Sequence, residues 1–253
     1  MLSDLAKDMF AKLELPYPAV AMKYVFEKPE GYEQYEGQLA LCSFVKVAQE
    51  GRKFYISEEN ENCMGRMMLG MIDIPKLEGS GRAGYDFEVF KTPAPNARLY
   101  HMLARLTLGS CNYVQFAPVS ECDFDPDLII CLATTREADL IMRANSYISG
   151  DLWESRDSHV AGCSWKFVYP YISGKINHSI VGMHHGEKRR RPFPDGLHYI
   201  SIPYQKFNEV VQALSEMEWV PIAMREDEES KKEMERRFDH WAELDPEQVL
   251  KQA

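Results

Sequence analysis

Cysteine supplies the chemistry most visible in this sequence: six stand at positions 42, 63, 111, 122, 131 and 163. None pair as Cys-x-x-Cys, and no Cys/His spacing matches a zinc finger. Cys63 carries the strongest local argument. Asn62 is a good N-cap, which predicts a helix over 63–71 with Cys63 in its first turn. There the unpaired N–H groups and the helix dipole favour an anion, so a thiol becomes a thiolate, hence a nucleophile or a metal ligand. Arg66 adds positive charge on the same face, and Gly65 and Gly70 let backbone or cofactor approach closely. The competing reading is a structural thiol in a helix rich in methionine (Met64, Met67, Met68, Met71).

The other cysteines read less sharply. Cys42 borders the apolar face of an expected helix over 39–49, where a core thiol is the default. Cys163 follows Ala161-Gly162 at a loop edge, suited to a ligand or simply to the start of a strand. Cys111 begins a strand directly after Gly109-Ser110. Cys131 lies inside Leu128–Ala133 and reads as core, and Cys122 has acidic neighbours, Glu121 and Asp123, that disfavour a thiolate.

A second feature is the basic run Lys188-Arg189-Arg190-Arg191, expected in a loop between Gly186 and Pro192. It is either a solvated loop or acidic-subunit interface, or an anion site in which Arg189, Arg190 and Arg191 hold phosphate or carboxylate. His184 and His185 are adjacent and point differently. Asp157-Ser158-His159 has the residue types of a serine hydrolase, but a triad is spatial and adjacency argues nothing. No Walker sequence, Gly-x-Gly-x-x-Gly or His-Glu-x-x-His occurs.

The elements that must position these residues follow from periodicity. Leu2, Leu5, Met9 and Leu13 share a helical face, stopped by Pro16 and Pro18, and Ala19–Phe26 reads as a strand. Phe54–Ile56 is a short strand. From Pro75 to Pro95 the chain is rich in glycine and proline, with a strand expected at Tyr85–Phe90, after which Asn96 caps a helix. Asn112–Ala117 and Asp127–Ala133 read as strands, and Thr134-x-x-Glu137 as a capping box for a helix over 135–146. Further strands are expected at Ser164–Tyr169, Ser179–Val181 and His198–Ile202, with Pro203 opening a helix faced by Phe207, Val210, Val211 and Leu214. The pattern predicts an α+β fold, a mixed and mostly antiparallel sheet with packed helices. Asp127–Asn145 and Leu197–Leu214 raise a strand–helix pseudo-repeat as an alternative. Residues 1–224 form one expected domain, and 225–253 a charged amphipathic helix around Met234, Phe238 and Trp241.

Composition narrows the partners. The chain has 253 residues, 45% hydrophobic, with Lys+Arg 29 against Asp+Glu 39, a formal net charge of -10. An acidic surface repels phosphate backbones, so no nucleic-acid partner is expected. No window approaches 18 consecutive apolar residues, so no membrane span is expected either. The opening MLSDLAKDMF lacks the pattern of a signal peptide, so a cytoplasmic location and free thiols are expected.

Several short motifs resemble one known family. LPYPAVAMKY (Leu15–Tyr24), Leu41-Cys42 and EENENCMGRMMLG (Glu58–Gly70) are similar to the first half of the domain of unknown function 169 family. Pro126–Gly150, Cys163 and IPYQKFNEVVQAL (Ile202–Leu214) are similar to its second half. The resemblance spans roughly residues 15–215 and departs at Met64 and at His184–Arg191. The family is prokaryotic and without an established activity, so it supplies positions rather than a reaction. It singles out Cys42, Cys63 and Cys163 as matching cysteines.

Together these readings give a redox or metal-binding protein in which Cys42, Cys63 and Cys163 converge on an iron–sulfur cluster, with Cys111 in reserve as fourth ligand. The partner is then a small molecule or a redox protein, and a homo-oligomer stays open. The alternative is a cofactor-free enzyme or binder of a small anionic metabolite, with a reactive Cys63 and an arginine clamp. A further alternative is an accessory subunit docking through its charged tail.

Overall fold

Short runs rich in β-branched, aromatic and other apolar residues form the strands of an antiparallel sheet, with helices in most of the connections between them. The computed structural model describes residues 2–238 together with Asp245 and Glu247. Six strands, β1 Val20–Val25, β2 Phe54–Ser57, β3 Tyr113–Pro118, β4 Leu128–Ala133, β5 Asn177–Ile180 and β6 His198–Pro203, lie in the order β2-β3-β1-β4-β6-β5. Every pairing is antiparallel, with Met22 opposite Phe116, Phe54 opposite Phe116 and Cys131 opposite Ile200.

Eleven α-helices accompany the sheet among the described residues. They are α1 Asp4–Lys12, α2 Leu41–Gln49, α3 Gly65–Met68, α4 Lys76–Gly79, α5 Arg82–Asp86 and α6 Pro93–Met102, then α7 Thr135–Ser149, α8 Tyr169–Ser173, α9 His185–Arg190, α10 Tyr204–Glu216 and α11 Glu228–Phe238. The fold is α+β. Strands β4 and β6 are antiparallel neighbours and each runs almost directly into a helix, α7 and α10. The expected capping box is formed: Glu137 Oε2 accepts the Thr134 N–H at 2.8 Å.

The sheet is buried on both faces. Along β4 all six residues are buried, so Leu128, Ile130 and Leu132 face one layer while Ile129, Cys131 and Ala133 face the other. The first layer holds α2 and the aromatic stack in which Phe54 lies on Phe116 at 5.1 Å, with Phe44 beside both. In the other layer Phe10 of α1 meets Phe207 of α10 at 5.0 Å.

Several expectations are corrected. Ser164–Tyr169 is a π-helical turn, Ser164–Val168, leading into α8 and not a strand, because its polar groups are taken up by neighbours: Ser164 Oγ donates to Ala104 O, and Asn177 Nδ2 donates to Trp165 O. Tyr85–Phe90 is the end of α5 and a turn, not a strand. The helix expected after Asn96 starts earlier, at Pro93, whose fixed φ suits a first helical position. Asn96 is therefore inside α6. The basic run is helical, in α9.

The chain separates into two units, the first ending at Ser215 and the second starting at Glu216. Within the second unit, Asp227 accepts the Ser230 N–H at 2.8 Å at the start of α11, and Glu233 pairs with Arg237 at 2.9 Å. Met234 and Phe238 lie on α11; Trp241 is outside the described residues. Among the described residues no helix is long and apolar enough to cross a membrane.

Cys131 tests the core directly. Cys131→Ser places a hydroxyl in a fully buried strand position and should cost about 1–3 kcal/mol in urea unfolding. An unchanged midpoint would mean that β4 is not the packed centre described.

Candidate functional site

Two carboxylates that the hydrophobic pattern does not reveal organise a cavity of about 290 Å³ above the first layer. The first belongs to Glu61, only 1% exposed. Helix α2 begins after Ala40, which offers no side-chain cap, so its first N–H groups need another acceptor. Glu61 Oε1 takes the Leu41 N–H at 3.0 Å, while Oε2 takes the N–H groups of Cys63 (2.9 Å) and Arg66 (3.0 Å). One side chain thereby caps α2 and ties down the turn that enters α3. Burial pushes its pKa up, and the three N–H donors pull it back only in part.

Gly65 makes that contact sterically feasible. A Cβ there would lie 2.8 Å from both Glu61 Cδ and Leu41 Cβ. The expected helix over 63–71 capped by Asn62 is thus replaced by the single turn of α3, with Asn62 exposed and Glu61 doing the capping. Cys42, in the first turn of α2, and Cys63 both line the cavity.

The second carboxylate is Glu187 in α9. Its Oε1 accepts a hydrogen bond from the ammonium of Lys166, a residue 2% exposed in the π-helical turn, and Oε2 accepts the Gly182 N–H at 3.3 Å. His184 donates Nδ1–H to Glu187 Oε2 at 3.3 Å and Nε2–H to Asp157 Oδ1 at 2.5 Å, where Asp157 keeps 24% of its side chain exposed. Burial works against the Glu187 charge, but the His184 hydrogen bond and the Lys166 charge prevail and hold its pKa at about 2. Burial also works against the His184 imidazolium, yet its two carboxylate partners raise its pKa.

This chain presses the loop before the π-helical turn against His184. Ala161 adopts φ 55°, and a Cβ on Gly162 would fall 2.3 Å from the His184 ring. Cys163, next in the chain, lines the same cavity as Cys42 and Cys63.

All six cysteines are free. Burial pushes the Cys42 thiol up to about 11, with Glu187 and Cys63 adding to the rise and Lys166 and Arg190 opposing it. Burial also raises the Cys163 thiol, and charge on Cys63, Glu61 or Cys42 would add to the shift. The thiols are therefore close enough to feel each other's charge. Among the described residues no three or more His, Cys, Asp or Glu side chains form a group that could hold a single metal ion.

The remaining predicted residues are divided. Arg189 and Arg190 line the cavity; Arg191, at the left-handed end of α9 with φ 47°, is exposed and not part of that lining. Cys111 is fully buried away from the cavity lining, its thiol donating to Tyr113 O at 3.3 Å and pushed up to about 12 by burial. Cys122 donates to Phe124 O at 3.2 Å, and Cys131 lies in β4.

Comparison with known proteins adds the lineage. The family model for domain of unknown function 169, described as uncharacterised ArCR, matches residues 8–213. The chain belongs to the domain of unknown function 169 family. A relative is the uncharacterised protein MJ0308 of Methanocaldococcus jannaschii, 22% identical over 215 residues, covering 83% of this chain and 91% of the relative. No solved structure matches. The cavity of this domain of unknown function 169 protein lies within the matched span, including Glu61, Lys166 and Glu187, which sequence reasoning missed. A lone charged residue inside an apolar stretch, such as Lys166 between Trp165 and Phe167, was the available signal.

Two predictions follow from these networks. Glu61→Gln keeps the volume but turns an N–H₂ group toward backbone donors, so it should cost about 1–3 kcal/mol by urea unfolding; Glu61→Asp, too short to reach both segments, should not rescue it. The second concerns pH. The raised His184 pKa gives stability that is complete below its ordinary 6.5 and lost as pH rises through the folded value. The lowered Glu187 pKa gives stability complete above its ordinary 4.5 and lost as pH falls toward about 2. The melting-temperature gap between the wild type and His184→Asn should therefore be widest between those ordinary values and shrink at alkaline pH. A gap that stays constant above neutrality would contradict the network.

Proposed function

We propose that this cavity is a redox or metal site in which Cys42, Cys63 and Cys163 hold an iron–sulfur cluster. One observation carries the reading. Of six free cysteines, these three come from separate segments, the first turn of α2, the turn before α3 and the loop before the π-helical turn, and line one cavity.

The donor set fits such a group. Thiolates are its usual ligands, and in a four-iron cluster each would bind a separate iron, so they need a shared cavity rather than the common point required by a single ion. Lys166 and Arg190 favour the thiolate of Cys42 and would offset the negative charge of the ligand set. When bound, the group supplies electron transfer or, with three protein thiolates, an iron free to take a further ligand. The chain's own residues hold and tune: Glu61 fixes the backbone on either side of the first two thiols, and burial keeps Cys42 and Cys163 protonated when no cation is present.

The deciding experiment is anaerobic purification followed by visible absorption, iron and sulfide analysis. Broad visible absorption with iron and sulfide in comparable amounts is expected. Cys42→Ser, Cys63→Ser and Cys163→Ser should each remove most of the iron, whereas Cys111→Ser and Cys122→Ser should not. Colourless protein that takes up neither iron nor sulfide on anaerobic reconstitution overturns the reading.

Arg189 and Arg190 on the cavity wall favour a second reading, a cofactor-free binder of a small anionic metabolite with a reactive thiol. A single fast-labelling cysteine in iron-free protein, measured with iodoacetamide at neutral pH, would support it; uniformly slow labelling would remove it.

A further inference from the structure

Part of the cavity lining comes from α4, α5 and α6, which pack on one another. It carries two acceptors without donors. Asn96 is 1% exposed; its Nδ2 donates to Gly81 O at 3.1 Å, which fixes the amide orientation, and its Oδ1 has no partner. Glu78 Oε2 is likewise buried without a partner. Both residues line the cavity. A buried acceptor left unmatched is costly, so two on one wall mark a place where an occupant brings hydrogen-bond donors.

The same cavity is lined by the thiols of Cys42, Cys63 and Cys163, by the acceptors Glu78 and Asn96, and by cations carried on α9. Because Lys166 is paired with Glu187, Arg189 and Arg190 are the cations left for an occupant. Phe87 and Val89 give the wall beside the acceptors an apolar stretch.

We propose that the cavity binds a bifunctional small molecule, with an ammonium or other N–H donor group against Asn96 Oδ1 and Glu78 Oε2, a short hydrocarbon body, and a carboxylate or phosphate against Arg189 and Arg190. The proposal rests on the reading of these arginines as an anion site, not on the cluster. It extends that reading by requiring a hydrogen-bond donor on the occupant as well.

Isothermal titration of the full-length protein at low ionic strength, with its iron content measured in the same sample, tests it. The probes are ω-amino carboxylates from glycine to 6-aminohexanoate, the matching alkanoates and alkylamines, and ethanolamine phosphate. At one chain length the bifunctional probe should bind about tenfold or more tightly than either monofunctional partner, the worth of a charge-assisted hydrogen bond. Tighter binding of ethanolamine phosphate than of any amino carboxylate would assign the anion as phosphate. Glu78→Gln, at a partly exposed position that should fold normally, should bring the ratio of amino carboxylate to alkanoate affinity close to one. Arg190→Gln should weaken both classes equally and leave that ratio unchanged. Alkanoates binding as tightly as amino carboxylates, or a ratio unmoved by Glu78→Gln, overturns the proposal while sparing the anion site. Absence of binding by every carboxylate and phosphate probe overturns both.

Discussion

The site depends on one buried carboxylate accepting backbone N–H groups from two segments. Removing Glu61 from water is expensive, and burial does raise its pKa. The cost is offset because the donors at Leu41, Cys63 and Arg66 would otherwise be unsatisfied at the ends of α2 and α3. Charge and donors are each unfavourable alone and compatible together. Their pairing fixes Cys42 and Cys63 relative to each other through backbone rather than through long, mobile side chains. It also explains why position 65 is glycine, since any larger residue would separate Glu61 from Leu41.

Glu187 plays the corresponding part on the other wall, with side-chain donors in place of most backbone ones. Lys166 is carried by the π-helical turn and His184 stands just before α9, so the ion pairs tie these segments together. Such a network is unforgiving: losing one member leaves a charge buried without a partner, which costs more than the pair itself contributes. The His184 ring then leaves no room for a side chain at position 162, which constrains the backbone immediately ahead of Cys163. Two anions, each satisfied internally, thus set the geometry of three thiols.

The sheet was legible in the sequence because its signals are local. Strands such as Ala19–Phe26 and Asp127–Ala133 show runs of β-branched and apolar residues, and Thr134-x-x-Glu137 announces the helix that follows. The site was less legible because its determinants are long-range. Cys42 reads as a core thiol on periodicity alone; what brings it to the cavity is a carboxylate 20 residues beyond its neighbour Leu41 in sequence. Ser164–Tyr169 has the composition of a strand, but Ser164, Lys166 and the backbone of Trp165 find partners at Ala104, Glu187 and Asn177, and these favour a wide helical turn. Asn96 has the residue type of a cap, yet Pro93 initiates the helix earlier and leaves the amide inside. For Cys42 and for Ser164–Tyr169, local propensity was overruled by the satisfaction of a buried polar group.

That rule also bears on the charge state of the cavity. Glu61 and Glu187 have donors and Lys166 has an anion, so the groups with unspent capacity are the thiols, the two arginines and the acceptors on α4 and α6. Burial holds Cys42 and Cys163 in their neutral forms, and each further negative charge nearby raises the cost of the next. Three thiolates together are therefore disfavoured without a cation among them, and a cation entering there displaces thiol protons as it binds. The same coupling predicts that affinity for thiophilic metal rises with pH, since protons leave as ligands form. Meanwhile Glu61 and Glu187, already committed to their own donors, are kept from competing as oxygen ligands. The architecture thus separates carboxylates that hold the backbone from thiols that line the cavity.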